Sequence, residues 1–400
     1  MRRIDLRKVQ AARSNTIRDI NRQIVLNYVR EREPISRAEI ARATDLQRST
    51  VSAIVEVLHA EGLVEEIGEG ESTGGRRPTL LKLRASEAVA VGVAVTPTVT
   101  IVAASTLAGR IVAREQFPTD PDWQQTQARI VASINKLRDA HPTLEAIGVS
   151  VPGLVDRESG QVLNVPFFKW HDLPVEKELS AATGLEVTVE NDANAAALAE
   201  LWFGRSEISQ VRDFIMILVG EGIGTGMIFD GQIYRGQHGA AGEFGHMIIG
   251  TGAPIACSCG NYDCWEAFAS ERAALARYNA LRQTSPSVGA TEDDFNALLE
   301  AALIGEGAAR EALLQTVQFL GVGVSNLVVG FSPRAVVISG SIVRAWPLIA
   351  QILQDSVQRS VRRGLAAAPL IASTLGEIPS LMGALSLVLA SKFAAHTLAE

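Results

Sequence analysis

Cysteine is scarce: the chain has three in 400 residues, all between positions 257 and 264. An odd count confined to one short segment is no disulfide framework, so a reducing, cytoplasmic setting is expected. No run reads as a membrane span. The uncharged stretch Ala88–Gly109 alternates, contains Pro97 and is rich in threonine, so it reads as β-structure. The opening residues MRRIDLRKVQ lack an apolar core and a cleavage site, and no secretory leader is expected. Hydrophobic residues make up 47% and charged residues 20%, which excludes disordered and fibrous classes. The length suits two or three domains.

Charge is unevenly spread. Residues 1–85 hold 16 basic against 12 acidic side chains, a net of +4, whereas the remainder carries −11 of the total −7. A basic head on an acidic body suggests that the head meets a polyanion, although two domains differing only in surface charge give the same balance.

The head spans residues 1–85. Ile17, Ile20, Ile24 and Tyr28 recur at helical spacing and predict a first helix, which Pro34 ends. Ser36 with Glu39 is a capping box opening a second helix through about Ala43. Thr44-Asp45-Leu46 is a turn in which aspartate, tolerant of the left-handed region, stands where glycine is usual. Val51, Ile54, Val55 and Leu58 mark one face of a third helix, and its opposite face begins with Gln47, Arg48, Ser49, Thr50 and Ser52. Such donors suit phosphates and base edges in a major groove. Leu63–Ile67 and Thr79–Leu83 read as strands around a glycine-rich wing, residues 68–78, ending in Arg76 and Arg77. Two guanidiniums there suit a minor groove or phosphates. A protein-binding module has similar helices, but the polar start of the third helix and the wing favour double-stranded DNA.

The body, residues 86–400, alternates strands and helices. Two three-strand meanders, one from Ala88 and one from Phe214, suggest an internally duplicated α/β body in two lobes. Gly220-Glu221-Gly222-Ile223-Gly224-Thr225-Gly226 either lets a backbone approach a ligand or forms a plain hairpin turn. Asn191 and Asp192 lie where a strand passes into a helix; they either read a hydroxyl or cap that helix. His246, Cys257, Cys259 and Cys264, spaced H-x10-C-x-C-x4-C, supply a closed tetrahedral set for structural zinc within a loop over 246–264.

These residues resemble the ROK family, named for repressors, open reading frames and kinases. The resemblance runs from Asn21 to the C-terminus. It rests on the Gly-Gly-Arg-Arg-Pro wing, Val151-Pro152-Gly153-Leu154-Val155-Asp156, Glu190-Asn191-Asp192-Ala193-Asn194, Gly242-Glu243-Phe244-Gly245-His246 and the Cys257–Glu266 loop. It also includes the Leu320–Leu327 and Pro333–Gly340 segments. It implies an actin-like, sugar-kinase-type α/β body in two lobes behind a winged helix-turn-helix. It further implies a monosaccharide touched by Asn191, Asp192, Glu243, His246 and Glu266, with His246 also on zinc.

The departures from the family's kinases concern phosphate. Ala94 stands where those kinases carry the aspartate of Asp-x-Gly-Gly-Thr, and Pro97 falls among the missing glycines. Glu221 replaces threonine in the second phosphate loop, where a like-charge contact at ~4 Å costs roughly 1–4 kcal/mol. Pro166-Phe167-Phe168-Lys169-Trp170 replaces a segment whose asparagine reads sugar, making that wall apolar, stacking or simply core. The expectation is a non-enzymatic, sugar-responsive regulator, more often a repressor in this family. It would work as a homodimer or tetramer with structural zinc, no ATP and no membrane partner. An ATP-dependent sugar kinase carrying a DNA-binding head, or a zinc-stabilised scaffold answering a protein partner, are the alternatives.

Overall fold

The computed structural model describes residues 14–70, 77–84, 87–204, 206–209, 211–284, 294–360, 367–376 and 378–393. It divides into two compact units. The first is Met1–Ala90 with Ser105–Val112 and Leu389–Glu400, and the second is Val91–Ala104 with Ala113–Val388.

The head holds three helices, Ser14–Arg32, Arg37–Thr44 and Arg48–Ala60, and the strands Ile35–Ser36, Val64–Glu69 and Thr79–Leu83, with Thr79–Leu83 central in the sheet. The capping box forms as expected: Ser36 accepts from the Glu39 backbone N–H, and Glu39 answers to the Ser36 backbone. Asp45 takes the left-handed conformation, φ 56°, and closes the second helix. Val51, Ile54, Val55 and Leu58 are the buried face of the third helix. The expected first helix is present as Ser14–Arg32. Val25, Leu26 and Val29 are fully buried, whereas Ile24 and Tyr28 are only half-buried. Apolar residues on more than one stripe share helical spacing there, and packing against the other helices decides which are buried.

In the body, the strands Glu186–Asn191, Ala146–Val151, Ala88–Val95, Val99–Thr106 and Ile111–Pro118 form one five-stranded sheet in that order. Gln232–Ile233, Ile223–Phe229, Phe214–Val219, Ala335–Ser339 and Leu370–Ala372 form the other. Numbered within its own lobe, each sheet reads 3-2-1-4-5, so the duplication legible as paired meanders is a duplication of whole-lobe topology. A small third sheet, Leu154–Asp156, Gln161–Val165 and Trp170–Leu173, extends the first lobe.

The helix Gly307–Phe331 is long and apolar enough to cross a membrane by composition. Its Leu313, Val317, Leu320 and Val324 are instead fully buried in the second lobe's core, against Ile217, Val336 and Ile338 of the sheet. It is a core helix, apolar because most of its circumference is packed.

Candidate functional site

A cavity of about 550 Å³ opens between the two sheets' strand ends. That volume is in the range of small-molecule sites. The strand Glu186–Asn191 delivers Asn191 and Asp192 to it, and the helix Asp192–Phe203 begins there. Asn191 caps this helix: Oδ1 accepts from the backbone N–H of Ala193 and Asn194, each at 3.0 Å. Its Nδ2 donates to the Gly153 carbonyl at 3.0 Å and to Asp192 Oδ1 at 3.2 Å. The capping alternative is therefore realised: Asn191 lines the cavity, but its amide is spent on holding the turn. Asp192 receives the Ala193 N–H at 2.8 Å and points its carboxylate to the cavity. Burial pushes its pKa up to about 7, and the nearby Glu243 carboxylate adds to the rise against the Ala193 hydrogen bond.

Glu243, His246 and Glu266 line the same cavity. His246 faces two ways: Nε2 lies 3.5 Å from Glu243 Oε2, and Nδ1 lies 3.4 Å from Cys257 Sγ. Burial raises the Glu243 carboxyl above its usual range; His246 opposes this and Glu266 adds to it. Glu266 is 5% exposed. Its Oε1 accepts from the Cys257 thiol at 2.9 Å and from Ser258 Oγ at 3.1 Å. The glycine at 222 has a steric reason: a Cβ there would stand 2.7 Å from Glu266 Oε2. Glu266 is itself set by Trp265, which is fully buried and donates its indole N–H to the Phe319 carbonyl at 3.1 Å. Gly323 lets the helix Gly307–Phe331 lie flush on that indole, where any Cβ would overlap the ring.

His246 and the cysteines meet because two segments pair. The Trp265 N–H donates to the Met247 carbonyl at 2.8 Å, and Ile248 bridges Cys264. The four ligand atoms of His246, Cys257, Cys259 and Cys264 all lie within 4.8 Å of one another. Cys259 and Cys264 sulfurs are 3.8 Å apart, and those of Cys257 and Cys259 3.1 Å. A tetrahedron with Zn–S bonds of about 2.3 Å has S···S edges of ~3.8 Å, so the set fits zinc in ligand type, number and span. Without a cation the thiols are poor anions. Burial pushes Cys264 up to about 11, and burial with the Glu266 hydrogen bond drives Cys257 higher still. A divalent ion reverses this by favouring thiolate.

A second group of cavity residues surrounds the glycine turn. Gly220 N–H bonds the Gly222 carbonyl at 3.0 Å. Burial raises Glu221 above the usual carboxylate range, while the Thr98 hydroxyl and Arg272 hold it down in part. Glu271, also on the cavity, is pushed up to about 7 by burial, with Glu221 and Asp294 adding like charge against a hydrogen bond from Ser341. Ala94 does not reach the cavity. It is fully buried among Ile101, Ala103 and Leu381. The aromatic pair divides: Phe167 lines the cavity with Arg272 5.8 Å over its ring, while Phe168 stacks on Trp170 at 4.5 Å.

In the head, Gln47, Arg48, Ser49 and Arg77 are exposed, and Thr50 and Ser52 half-exposed. Arg76 and most of the wing lie outside the described residues. Sequence reasoning assigned no role to Glu190, Arg235, Thr98, Glu271 or Arg272. Glu190 stood in a quoted motif, but the other four carry no local signal.

The ROK family profile matches residues 90–391, and the MarR family profile residues 24–77. The xylose repressor of Caldicellulosiruptor bescii is 33% identical over 362 residues, covering 86% of this chain and 89% of that protein. A solved ROK family transcriptional regulator, a homologue of the E. coli MLC protein, is 25% identical with a TM-score of 0.77, covering 95% of this chain and 98% of that one. A ROK family glucokinase from Streptomyces griseus, solved with glucose and AMPPNP, is 28% identical with a TM-score of 0.67 and covers 75% of this chain and 98% of its own.

Proposed function

The chain belongs to the ROK family, and from that premise we propose that it is a sugar-responsive transcriptional repressor whose kinase-like body binds a monosaccharide without phosphorylating it. The observation that carries this reading is the convergence of Asp192, Glu243, His246 and Glu266 on one cavity, in a chain that also presents the exposed polar start of a recognition helix. Carboxylates and an imidazole are hydroxyl-reading groups, and a site built on them rejects analogues that lack those hydroxyls. Asn191 serves this site by aiming Asp192. Cys257, Cys259, Cys264 and His246 Nδ1 hold zinc in this reading. The bound ion supplies a cross-link and a positive charge, and the protein's part is to fix the His246 ring so that Nε2 faces the ligand.

ATP is opposed by three features: the carboxyl of Glu221 in the glycine turn, Glu271 beside it, and Ala94, which cannot orient a metal. Gln47, Arg48, Ser49, Thr50 and Ser52 read the operator, with Arg76 and Arg77 on the wing. A homodimer sets two such helices about 34 Å apart on a pseudo-palindrome. Residues 1–85 form the reader and 86–400 the sensor, working in the cytoplasm. Coupling of ~1–3 kcal/mol between sugar and operator changes DNA affinity roughly 5- to 150-fold.

The test selects DNA from a random pool with the full chain, then measures its binding with D-xylose, D-glucose and N-acetyl-D-glucosamine. D-Xylose comes first because of the similarity to a xylose repressor. A sugar that binds and weakens DNA binding supports the reading; sugars that neither bind nor alter it overturn it. One observation favours a kinase instead: Asp192, with its pKa near 7, is poised as a general base. Turnover of Mg-ATP with a hexose panel, abolished in Asp192→Asn, would establish that reading.

A further inference from the structure

An ion pair sits behind the sugar-reading residues without touching the cavity. Arg235 Nε lies 2.7 Å from Glu190 Oε2, with Glu190 1% exposed. The partners come from different lobes. Glu190 is on the strand Glu186–Asn191 of the first sheet, and Arg235 follows the edge strand Gln232–Ile233 of the second. Neither lines the cavity.

Each partner leads directly into a recognition segment. Glu190 Oε1 accepts from the Asn191 backbone N–H at 3.1 Å and from Asn194 Nδ2 at 3.3 Å, so it braces the turn that presents Asp192. From Arg235 the chain runs to Glu243 and His246. Its loop is closed by the Ala241 N–H on the Arg235 carbonyl at 2.9 Å. Within that loop Gly239, φ 74°, rests against the Val155 carbonyl of the first lobe, where a Cβ would clash.

We propose that Arg235 is a positioning residue for ligand recognition: by gripping Glu190 it fixes the turn carrying Asp192 relative to the segment carrying Glu243 and His246. Asp192 and Glu243 are carboxyl groups from opposite lobes, and whenever both are ionised they repel and do not hold that spacing themselves. A guanidinium suits the task because its rigid fork orients a carboxylate, whereas lysine offers only a point charge. Affinity is gained by fixing the site before the ligand arrives.

This inference rests on the reading of the cavity as a monosaccharide site, and its test separates the two. Arg235→Met leaves a buried carboxylate unpaired and destabilises the fold, so the double variant Glu190→Gln/Arg235→Met is needed beside it. Glutamine keeps an acceptor for Asn191 and Asn194 and removes the buried charge, placing an amide NH2 where Oε2 stood. Melting temperature, calorimetric binding of the three sugars above, and amide hydrogen exchange at Ala193 and Asn194 without sugar are measured for wild type and both variants.

The expected result is that the double variant regains most of the melting temperature that Arg235→Met loses. Its sugar Kd stays raised on the order of 10-fold, the equivalent of ~1.4 kcal/mol, and its Ala193 and Asn194 amides exchange faster. Recovery of affinity together with melting temperature means that Arg235 is only structural and overturns the proposal. If wild type binds none of the sugars, the monosaccharide reading falls; exchange then decides alone, and unchanged rates at Ala193 and Asn194 overturn the strut.

Discussion

Two groups of carboxylates line one cavity and are handled differently. Asp192, Glu243 and Glu266 are surrounded by partners: a helix N-terminus, an imidazole, and the hydroxyl of Ser258. Glu221 and Glu271 crowd each other near Asp294, eased by Thr98, Ser341 and Arg272. The first group is braced by a metal-type cluster and by a buried tryptophan, as a recognition surface needs. The second stands at the turn where a phosphate-binding loop needs free N–H groups and no negative charge. In the proposed reading the two groups have diverged from the family's kinases unequally: the carboxylates placed to read hydroxyls are kept, and carboxylates stand where a triphosphate would have to be held.

The comparison breaks most severely at the metal. Cys259→Ser should abolish zinc retention, measured by metal analysis. It should weaken sugar binding by more than about 100-fold, or ~3 kcal/mol, because His246 and the loop bearing Glu266 lose their common anchor. Next is Asp192→Ala. A hydrogen bond to a charged group is worth roughly 1.5–3 kcal/mol, so calorimetry should show a 10- to 100-fold loss of sugar affinity. Sugar-free operator binding should stay unchanged.

Glu221→Gly should sharpen the contrast from the other side. Removing one like charge should tighten Mg-ATP binding by at least about 5-fold, the low end of a ~4 Å contact. Phosphotransfer should be absent from both forms, because Ala94 supplies no carboxylate in either. Equal ATP binding by both forms would refute the electrostatic account of this group.

A different readout is the pH dependence of stability. Asp192 and Glu271 each have a folded pKa of about 7, raised from 3.8 and 4.5. Between about pH 4 and 7 the folded chain binds protons that the unfolded chain has released. Its stability from these groups is therefore full on the acid side and is lost as pH rises through 7. The melting temperature of sugar-free protein should fall across this window, and less steeply in Asp192→Asn and in Glu271→Gln. Identical slopes in all three would mean that neither group titrates as stated.

Much of the site was legible because the relevant interactions are short in sequence. Ser36 with Glu39, Asp45 in its turn, and Asn191 at a helix start act within a few residues of themselves. The metal-type donor set was legible from residue type alone, since all three cysteines fall in one loop. The rest depended on distant partners. Asn191 reads as a hydroxyl binder or a cap until Gly153, 38 positions away, is seen to take its amide. Phe167 and Phe168 are adjacent and alike, yet one faces the cavity and the other stacks on Trp170. The first helix was legible too, but periodicity marks apolar stripes, and only neighbouring helices select which residues are buried: here Val25, Leu26 and Val29.

By itself the sequence determined the local geometry of caps and turns, the donor set for a metal, and the absence of a carboxylate at position 94. These follow from side-chain chemistry and from contacts that the chain makes with its near neighbours. The tertiary structure alone decided that Arg235 meets Glu190 45 positions away, that Glu271 joins Glu221, and that His246 presents one nitrogen to the sulfurs and the other to the cavity. Such pairings depend on two lobes folding so that their strand ends converge, and no spacing along the chain records where those ends come to rest.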